Sequence, residues 1–349
     1  MYSRILVYRR GSIGDAIVSI PALNEIRRQY PHAAIRLLSN TPVSERAAGV
    51  SSILGETGLV EGVFHLPPGG GGISALSDVR SQIKAWSPDA LIYLSEPSQL
   101  HRLAAEVTYF RWCGISTLLH VPWGPDYRRY RKRGDELYES ESSRLLRAIT
   151  GHSDATEDWT FTLPDTARQQ ASAALAGWGG RACFLAFSLG AKLPDKDWGE
   201  DNWRFCLDAL SEHRPGLGVV SIGAEDESAA CDRVLAGWRG PKLNLCGRLV
   251  PLASAAVMEQ ALIYLGHDSG PMHLAALEKT PCWAVFSARA KPGVWFPHGN
   301  NHHIFYPWEL AQTAPERTGF RTAGNSILSI KKDDVRSALL NWAGTLSVA

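Results

Sequence analysis

Short apolar runs recur along this chain with helix-like segments between them, and they fall into two sets. The first set is Ile5-Leu6-Val7-Tyr8, Ala34 to Leu38 and Ala90 to Leu94, with a helix pattern from Ala16 to Tyr30 after the first run. The second set is Cys183 to Phe187, Gly218 to Ile222, Leu243 to Leu245, Ala261 to Leu265 and Cys282 to Phe286. Alternation of this kind implies parallel sheets covered by helices on both faces. Two sets imply two Rossmann-like domains, and a length of 349 residues accommodates both. The expected boundary lies near Pro164 to Gly180, where a Pro-Asp start precedes an Ala-rich helix and Gly179-Gly180. In such folds ligands sit at the carboxyl ends of the strands, and a cleft between two domains is a usual site.

Composition narrows the function classes. Apolar residues make up 45% and charged residues 20%, the profile of a soluble globular protein. A formal net charge of +1 gives no strong field for nucleic acid. The six cysteines are scattered without a C-x-x-C pair, which argues against a zinc site and suits a reducing compartment. The N-terminus runs straight into an apolar strand and lacks a signal peptide's pattern, and no apolar run has the length of a membrane span. The expected location is the cytoplasm, with peripheral membrane contact left open.

The segment Gly266-His267-Asp268-Ser269-Gly270-Pro271-Met272-His273-Leu274 carries the most chemistry. It joins an apolar run to a helix. Asp268 or Ser269 can cap that helix, and Pro271 suits its first turn because no N–H is needed there. Free N–H groups and the helix dipole then favour an anion, while a carboxylate at the same lip can accept from sugar hydroxyls. A capped helix without any ligand is an equal reading of the spacing alone.

Three further turns follow strand-like runs. Arg9-Arg10-Gly11-Ser12-Ile13-Gly14-Asp15 lets the backbone approach a ligand closely, and its Asp15 serves either as a helix cap or as a general base. It is not the dinucleotide fingerprint G-x-G-x-x-G. Ser188-Leu189-Gly190-Ala191 leads to Lys192, Lys196 and Trp198, placing lysines where a phosphate could be neutralised. Asp195-Lys196-Asp197 matches a metal-holding D-x-D only superficially, since the lysine between opposes a cation. Gly223-Ala224-Glu225-Asp226-Glu227 puts acids at a strand end, suited to ribose hydroxyls or to a helix dipole. His273, one turn into its helix, is by itself more often packed than catalytic. Pro67 to Gly72 reads as a flexible loop. The basic run Arg128 to Arg133 reads as a solvated loop, balanced by Asp135, Glu136, Glu139 and Glu141, or as an anion-binding face.

Taken in order, these segments resemble glycosyltransferase family 9, the bacterial heptosyltransferases. The resemblance rests on Ile5-Leu6-Val7 through Gly11-Ser12-Ile13-Gly14-Asp15 with Pro21-Ala22-Leu23, and on Gly190-Ala191 with Lys196 and Trp198. Gly223-Ala224-Glu225-Asp226 and Asp268 to Ala276 complete it, so it spans nearly the whole chain. It implies an α/β protein of GT-B fold. An acceptor-side domain over 1–165 and a nucleotide-sugar donor domain over 166–330 would face each other across a cleft. A C-terminal helix over 331–349 would cross back to the first domain.

The activity implied is inverting, metal-independent transfer of a sugar, commonly heptose from ADP-heptose, to lipopolysaccharide or another surface glycan. By position, Asp15 is similar to the family's base and Lys196 to its donor-phosphate lysine. Glu225 matches the ribose acid and Asp268 the sugar-hydroxyl carboxylate. Gly190, Ala191, Lys192, Ser269, Gly270, Pro271 and His273 fall on the donor side. Arg10, Ser12, Gly14, His101 and Arg102 fall on the side of an anionic, lipid-linked acceptor at the inner membrane. No cofactor beyond the nucleotide sugar is implied. Departures from the family pattern are His267 where asparagine is common, Ser188-Leu189 for His-Pro, and Ser287 to Pro297 for a short Gly-Pro-Thr turn. They lie near the donor and bear on which sugar is carried. A GT-B enzyme using another nucleotide sugar and a non-catalytic nucleotide-sugar-binding protein remain as other readings.

Overall fold

The computed structural model describes residues 2–41, 48–55, 57–68, 71–96, 99–178, 183–191, 193–313 and 326–346. The chain divides into two compact units, Met1–Asp135 with Glu139–Thr162, and Glu136–Tyr138 with Leu163–Ala349.

The first unit holds β1 (Arg4–Tyr8), β2 (Ala34–Asn40), β3 (Val63–Leu66), β4 (Ala90–Tyr93) and β5 (Thr117–Leu119). They form one parallel sheet in the order β3-β2-β1-β4-β5. Its helices are α1 (Ile13–Ile17), α2 (Ile20–Gln29), α3 (Ser51–Leu54), α4 (Ile73–Trp86), α5 (Leu100–Trp112), α6 (Pro125–Arg128) and α7 (Glu141–Thr150). Two-residue strands β6 (Lys132–Arg133) and β7 (Leu137–Tyr138) lie between α6 and α7 in sequence. Ile5, Leu6 and Val7 of β1 are wholly buried, as a central parallel strand covered on both faces must be.

The second unit begins with α8 (Asp165–Leu175) and then alternates regularly. It contains β8 (Phe184–Ser188), α9 (Glu200–His213), β9 (Gly218–Ser221), α10 (Ser228–Val234), β10 (Lys242–Asn244) and α11 (Pro251–Met258). Then come β11 (Tyr264–His267), α12 (Gly270–Leu277), β12 (Cys282–Val285), β13 (His303–Phe305), α13 (Trp308–Thr313) and α14 (Lys332–Thr345). The six strands are parallel, in the order β10-β9-β8-β11-β12-β13. Trp198 and Trp203 are fully buried in this unit's core, against Phe187 and Leu265.

Both sheets reverse direction once. The chain builds outward from β1 to one side and resumes at β4 on the other. It does the same from β8, resuming at β11. At such a point the loops after the two central strands diverge and leave a crevice at their carboxyl ends. The topology thus singles out Arg9 to Asp15 and Leu94 to Glu96 in the first unit. In the second it singles out Leu189 to Lys196 and Asp268 to Gly270.

Some expectations shift. The helix pattern from Ala16 to Tyr30 is two helices, because Pro21 has no N–H to donate back toward Ile17 and the chain breaks at Val18-Ser19. The run from Ala261 to Leu265 becomes a strand only from Tyr264, and extends to His267. Leu262 instead donates its N–H to the Phe184 carbonyl from the connection. The short strands β3, β5 and β13 carry few fully buried residues, so their sequences show no continuous apolar run. The C-terminal helix, α14, packs on α9 within the second unit. Val335, Leu339 and Ala343, spaced four apart on one face, enter that core, and Arg214 Nε donates to the Ala343 carbonyl at 2.9 Å.

Candidate functional site

In the first unit the chain leaves β1 through Arg9, which is fully buried. Burying a guanidinium is costly unless every donor is met. Here Nε donates to the Asp15 carbonyl at 3.0 Å, Nη1 to the Leu94 carbonyl at 2.8 Å and to Glu141 Oε1 at 3.2 Å, and Nη2 to Asp15 Oδ1 at 3.3 Å. The other Asp15 oxygen accepts from the Ser12 N–H at 2.9 Å. Gly11 is required between them. Its φ is +137°, and a Cβ there would lie 2.1 Å from the Asp15 carboxyl carbon. Asp15 is therefore both the third-position carboxylate of the α1 capping box, whose N-cap is Ser12, and an oriented carboxylate whose side chain stays 23% exposed.

Behind Arg9 stands Glu141, at the start of α7 and wholly buried. It accepts from Arg144 Nε at 2.7 Å and Nη2 at 2.8 Å, and from the Tyr130 hydroxyl at 2.9 Å. Burial alone would raise its pKa. The Arg144 and Arg9 guanidiniums overcome this and hold the carboxyl below the usual carboxylate range. At the end of β4, Glu96 is pushed the other way, by desolvation first and then by the negative charges of Glu141 and Asp15.

Arg10 turns away from this network. Its Nη1 reaches Glu106 Oε1 at 3.3 Å, and Glu106 also accepts from the hydroxyls of Tyr8 at 3.0 Å and Tyr93 at 2.7 Å. Half of the Arg10 side chain remains open. His101 and Arg102 are exposed in the first turn of α5, the helix that supplies Glu106, and Gly14 is buried in α1.

In the second unit the turn after β11 presents Asp268, buried at 6% exposure, whose Oδ2 is 2.5 Å from Lys196 Nζ. Ser269 takes the N-cap position of α12 but makes no side-chain capping bond, and Pro271 occupies the first turn. The first-turn N–H groups of Gly270 and Met272 thus lack the usual side-chain partner, at the positive end of a helix. His273 is buried one turn on, its ring 6.0 Å from that of Trp295. Asp195 Oδ2 is 2.5 Å from Arg289 Nη1, while Asp197 Oδ1 accepts the Gly199 N–H at 2.9 Å. The two carboxylates of the D-x-D sequence are thus turned to different protein partners.

The loop from Gly190 is tied to its neighbours by two residues. Glu227 fills the space a side chain would need at Gly190, and its Oε2 accepts the Ala224 N–H at 2.9 Å. His267 Nε2 accepts from the Trp198 N–H at 3.1 Å and the Trp203 indole at 3.0 Å. Its Nδ1 is buried without a hydrogen-bond partner among the described residues, and burial pushes the ring's pKa down to about 4. Glu225 is exposed in the first turn after β9, and Ala191 is half-buried beyond Gly190. Lys192 lies outside the described residues.

The structure thus brings Arg10, Ser12, Gly14 and Asp15 into one turn. It joins Lys196 to the Asp268–Pro271 turn, and places His101 and Arg102 in the exposed first turn of α5, the helix whose Glu106 pairs with Arg10. Sequence reading missed Arg9, Glu141 and Glu227. It also took Glu139 and Glu141 as solvated counterions of the basic run. Both are buried, and they pair with Arg147 and Arg144 of α7. Arg129, Arg131, Lys132 and Arg133 are exposed as expected.

The family model of glycosyltransferase family 9 (heptosyltransferase) matches residues 123–319. Lipopolysaccharide heptosyltransferase 3 of Escherichia coli K12 is 22% identical over 305 residues, covering 84% of this chain and 82% of its own length. A glycosyltransferase family 9 structure from Veillonella parvula superposes with a TM-score of 0.75 at 17% identity, covering 97% of this chain and 98% of that one. The structure of E. coli ADP-heptose lipopolysaccharide heptosyltransferase II gives a TM-score of 0.68 at 16% identity, with 98% and 100% covered. The fold is GT-B, and the chain belongs to glycosyltransferase family 9 and is a glycosyltransferase.

Proposed function

We propose that the protein transfers heptose from ADP-heptose to a lipopolysaccharide acceptor, with inversion at the anomeric carbon and without a metal. The observation that carries this reading is the Lys196–Asp268 pair beside the uncapped N-terminus of α12. It offers a cation and helix N–H groups for phosphates, and a carboxylate for sugar hydroxyls, within one turn. The E. coli relatives, lipopolysaccharide heptosyltransferase 3 and ADP-heptose lipopolysaccharide heptosyltransferase II, agree with it.

In this mechanism Asp15 accepts the proton of the acceptor hydroxyl as its oxygen bonds to the anomeric carbon. The bond from that carbon to the β-phosphate oxygen breaks, and the electron pair leaves with the nucleoside diphosphate. Lys196 and the α12 N-terminus meet the charge that develops there. Glu225 would hold ribose, and Gly190, Ala191 and Lys192 would form the loop beside it. The acceptor would be anionic and lipid-linked, met by Arg10, His101, Arg102 and the exposed basic run at the inner face of the cytoplasmic membrane. Among the described residues no helix is long and apolar enough to cross a membrane, so that contact would be peripheral.

A thermal-shift panel of ADP-, GDP-, UDP-, dTDP- and CMP-linked sugars tests the donor. ADP-heptose at ~100 times its dissociation constant should add roughly 2.7 kcal/mol of stability. Calorimetry then separates the residue roles. Asp268→Ala should weaken the full donor far more than free ADP, whereas Glu225→Ala should weaken both. Equal losses for both ligands with Asp268→Ala, or transfer that strictly needs a divalent ion, would overturn the reading.

A further inference from the structure

We propose that Arg289 is a second phosphate-binding cation of the donor site, held by Asp195 and handed to the diphosphate of an incoming nucleoside diphosphate sugar. This rests on the donor reading above and adds a residue to it. Arg289 lies in the segment after β12 where the chain departs from its family's short turn. Its two neighbours are fixed by side chains from elsewhere in the unit. The Ala288 N–H donates to Ser326 Oγ at 2.8 Å, and the Ala290 carbonyl accepts from the Tyr306 hydroxyl at 2.8 Å. Ala288 is fully buried and Tyr306 nearly so. The backbone on either side of Arg289 is therefore pinned, and only the side chain is left to move.

That side chain reaches the residue next to Lys196. Two ion pairs, Asp195–Arg289 and Lys196–Asp268, thus start from adjacent positions of one short turn, each at 2.5 Å. The Asp195–Arg289 pair differs from the buried arginine pairs of the first unit. The Arg289 side chain is 36% and the Asp195 side chain 28% exposed, against 3% and 0% for Arg144 and Glu141. A partly exposed pair contributes little to stability and is readily exchanged. Asp195 also satisfies poorly, since its Oδ1 is buried without a hydrogen-bond partner among the described residues. A diphosphate carries two charged groups where Lys196 offers one point charge. A guanidinium can span two of its oxygens with parallel N–H donors, which a lysine cannot. Exchange of Asp195 for phosphate keeps Arg289 paired throughout.

Calorimetric titration of ADP, GDP and UDP and of the matching monophosphates tests this on four proteins: wild type, Arg289→Ala, Arg289→Lys and Asp195→Ala. Arg289→Ala should weaken the preferred diphosphate about tenfold and its monophosphate less than twofold, the effect of one charge-assisted pair. Arg289→Lys should recover part of the loss. Asp195→Ala removes the competitor and should leave diphosphate affinity equal or tighter. Unchanged diphosphate affinity in Arg289→Ala would overturn the proposal. Equal weakening by Arg289→Ala and Asp195→Ala would also overturn it, because a structural clamp predicts that pattern. If the wild type binds none of the three diphosphates, the donor reading itself falls and this inference falls with it.

Discussion

The two switch-point turns solve opposite problems. In the first unit Asp15 is held by a network that is already complete. Arg9 and Glu141 are wholly buried, and Arg144 and Tyr130 close the circuit behind them. In the second unit the Lys196–Asp268 and Asp195–Arg289 pairs are partly open, and the α12 N-terminus lacks its side-chain cap. A base must point one way throughout the reaction, and buried ion pairs supply orientation more surely than stability. A phosphate site must instead have partners left to give. Saturation suits the one, and incomplete pairing suits the other.

The comparison breaks first at Asp15. Asp15→Asn keeps the shape and should lower kcat by about 10²–10⁴, as loss of a general base does, with donor affinity little changed. Near-normal turnover would mean that the saturated turn only caps a helix. Next comes Glu141→Ala, which leaves Arg144 buried without its counter-charge and Arg9 with Asp15 alone. It should cost about 3–5 kcal/mol of stability, visible in chemical unfolding, because an uncompensated buried charge is what remains. A loss below 1 kcal/mol would show that the network is not a folding constraint.

The smallest effect is at His267. Its folded pKa is depressed from 6.5 to about 4, so it stabilises the fold as the neutral ring above pH 6.5 and loses that contribution as pH falls toward 4. The stability gap between wild type and His267→Gln should therefore be widest near pH 7 and narrow by on the order of 1 kcal/mol on acidification. A gap independent of pH would sharpen the contrast differently, making the strut between β11 and the Gly190 loop purely one of packing.

What the sequence showed follows from what is local. Central strands such as β1 and β8 are continuous apolar runs because parallel strands are buried on both faces. Asp15 and the Asp268–Pro271 turn stood out because cap residues, glycines and proline cluster within a few positions. Arg9 could not be read this way. Its decisive partner, Glu141, is 132 residues distant, and an acid beside a basic run looks like a surface counterion. Glu227 was passed over for Glu225 because both stand at the same strand end, and only the fold shows which one fills the space against Gly190. The C-terminal helix came from the family resemblance alone, and its buried stripe of Val335, Leu339 and Ala343 is seen only in the fold.

The buried arginines of α7 have a consequence for the loop that precedes them. Arg144 Nη1 donates to the Tyr127 carbonyl at 3.0 Å, and Arg147 donates to the carbonyls of Asp126 at 2.7 Å and Arg129 at 3.2 Å. Glu139 accepts the Arg131 N–H at 2.8 Å. The exposed basic residues are thus mounted on a backbone stitched from beneath at four points. Ordering one loose residue costs roughly 1–2 kcal/mol of conformational entropy. An anion arriving at Arg129, Arg131, Lys132 or Arg133 meets a surface for which that loss was incurred when the chain folded. Its binding has only the side chains left to still.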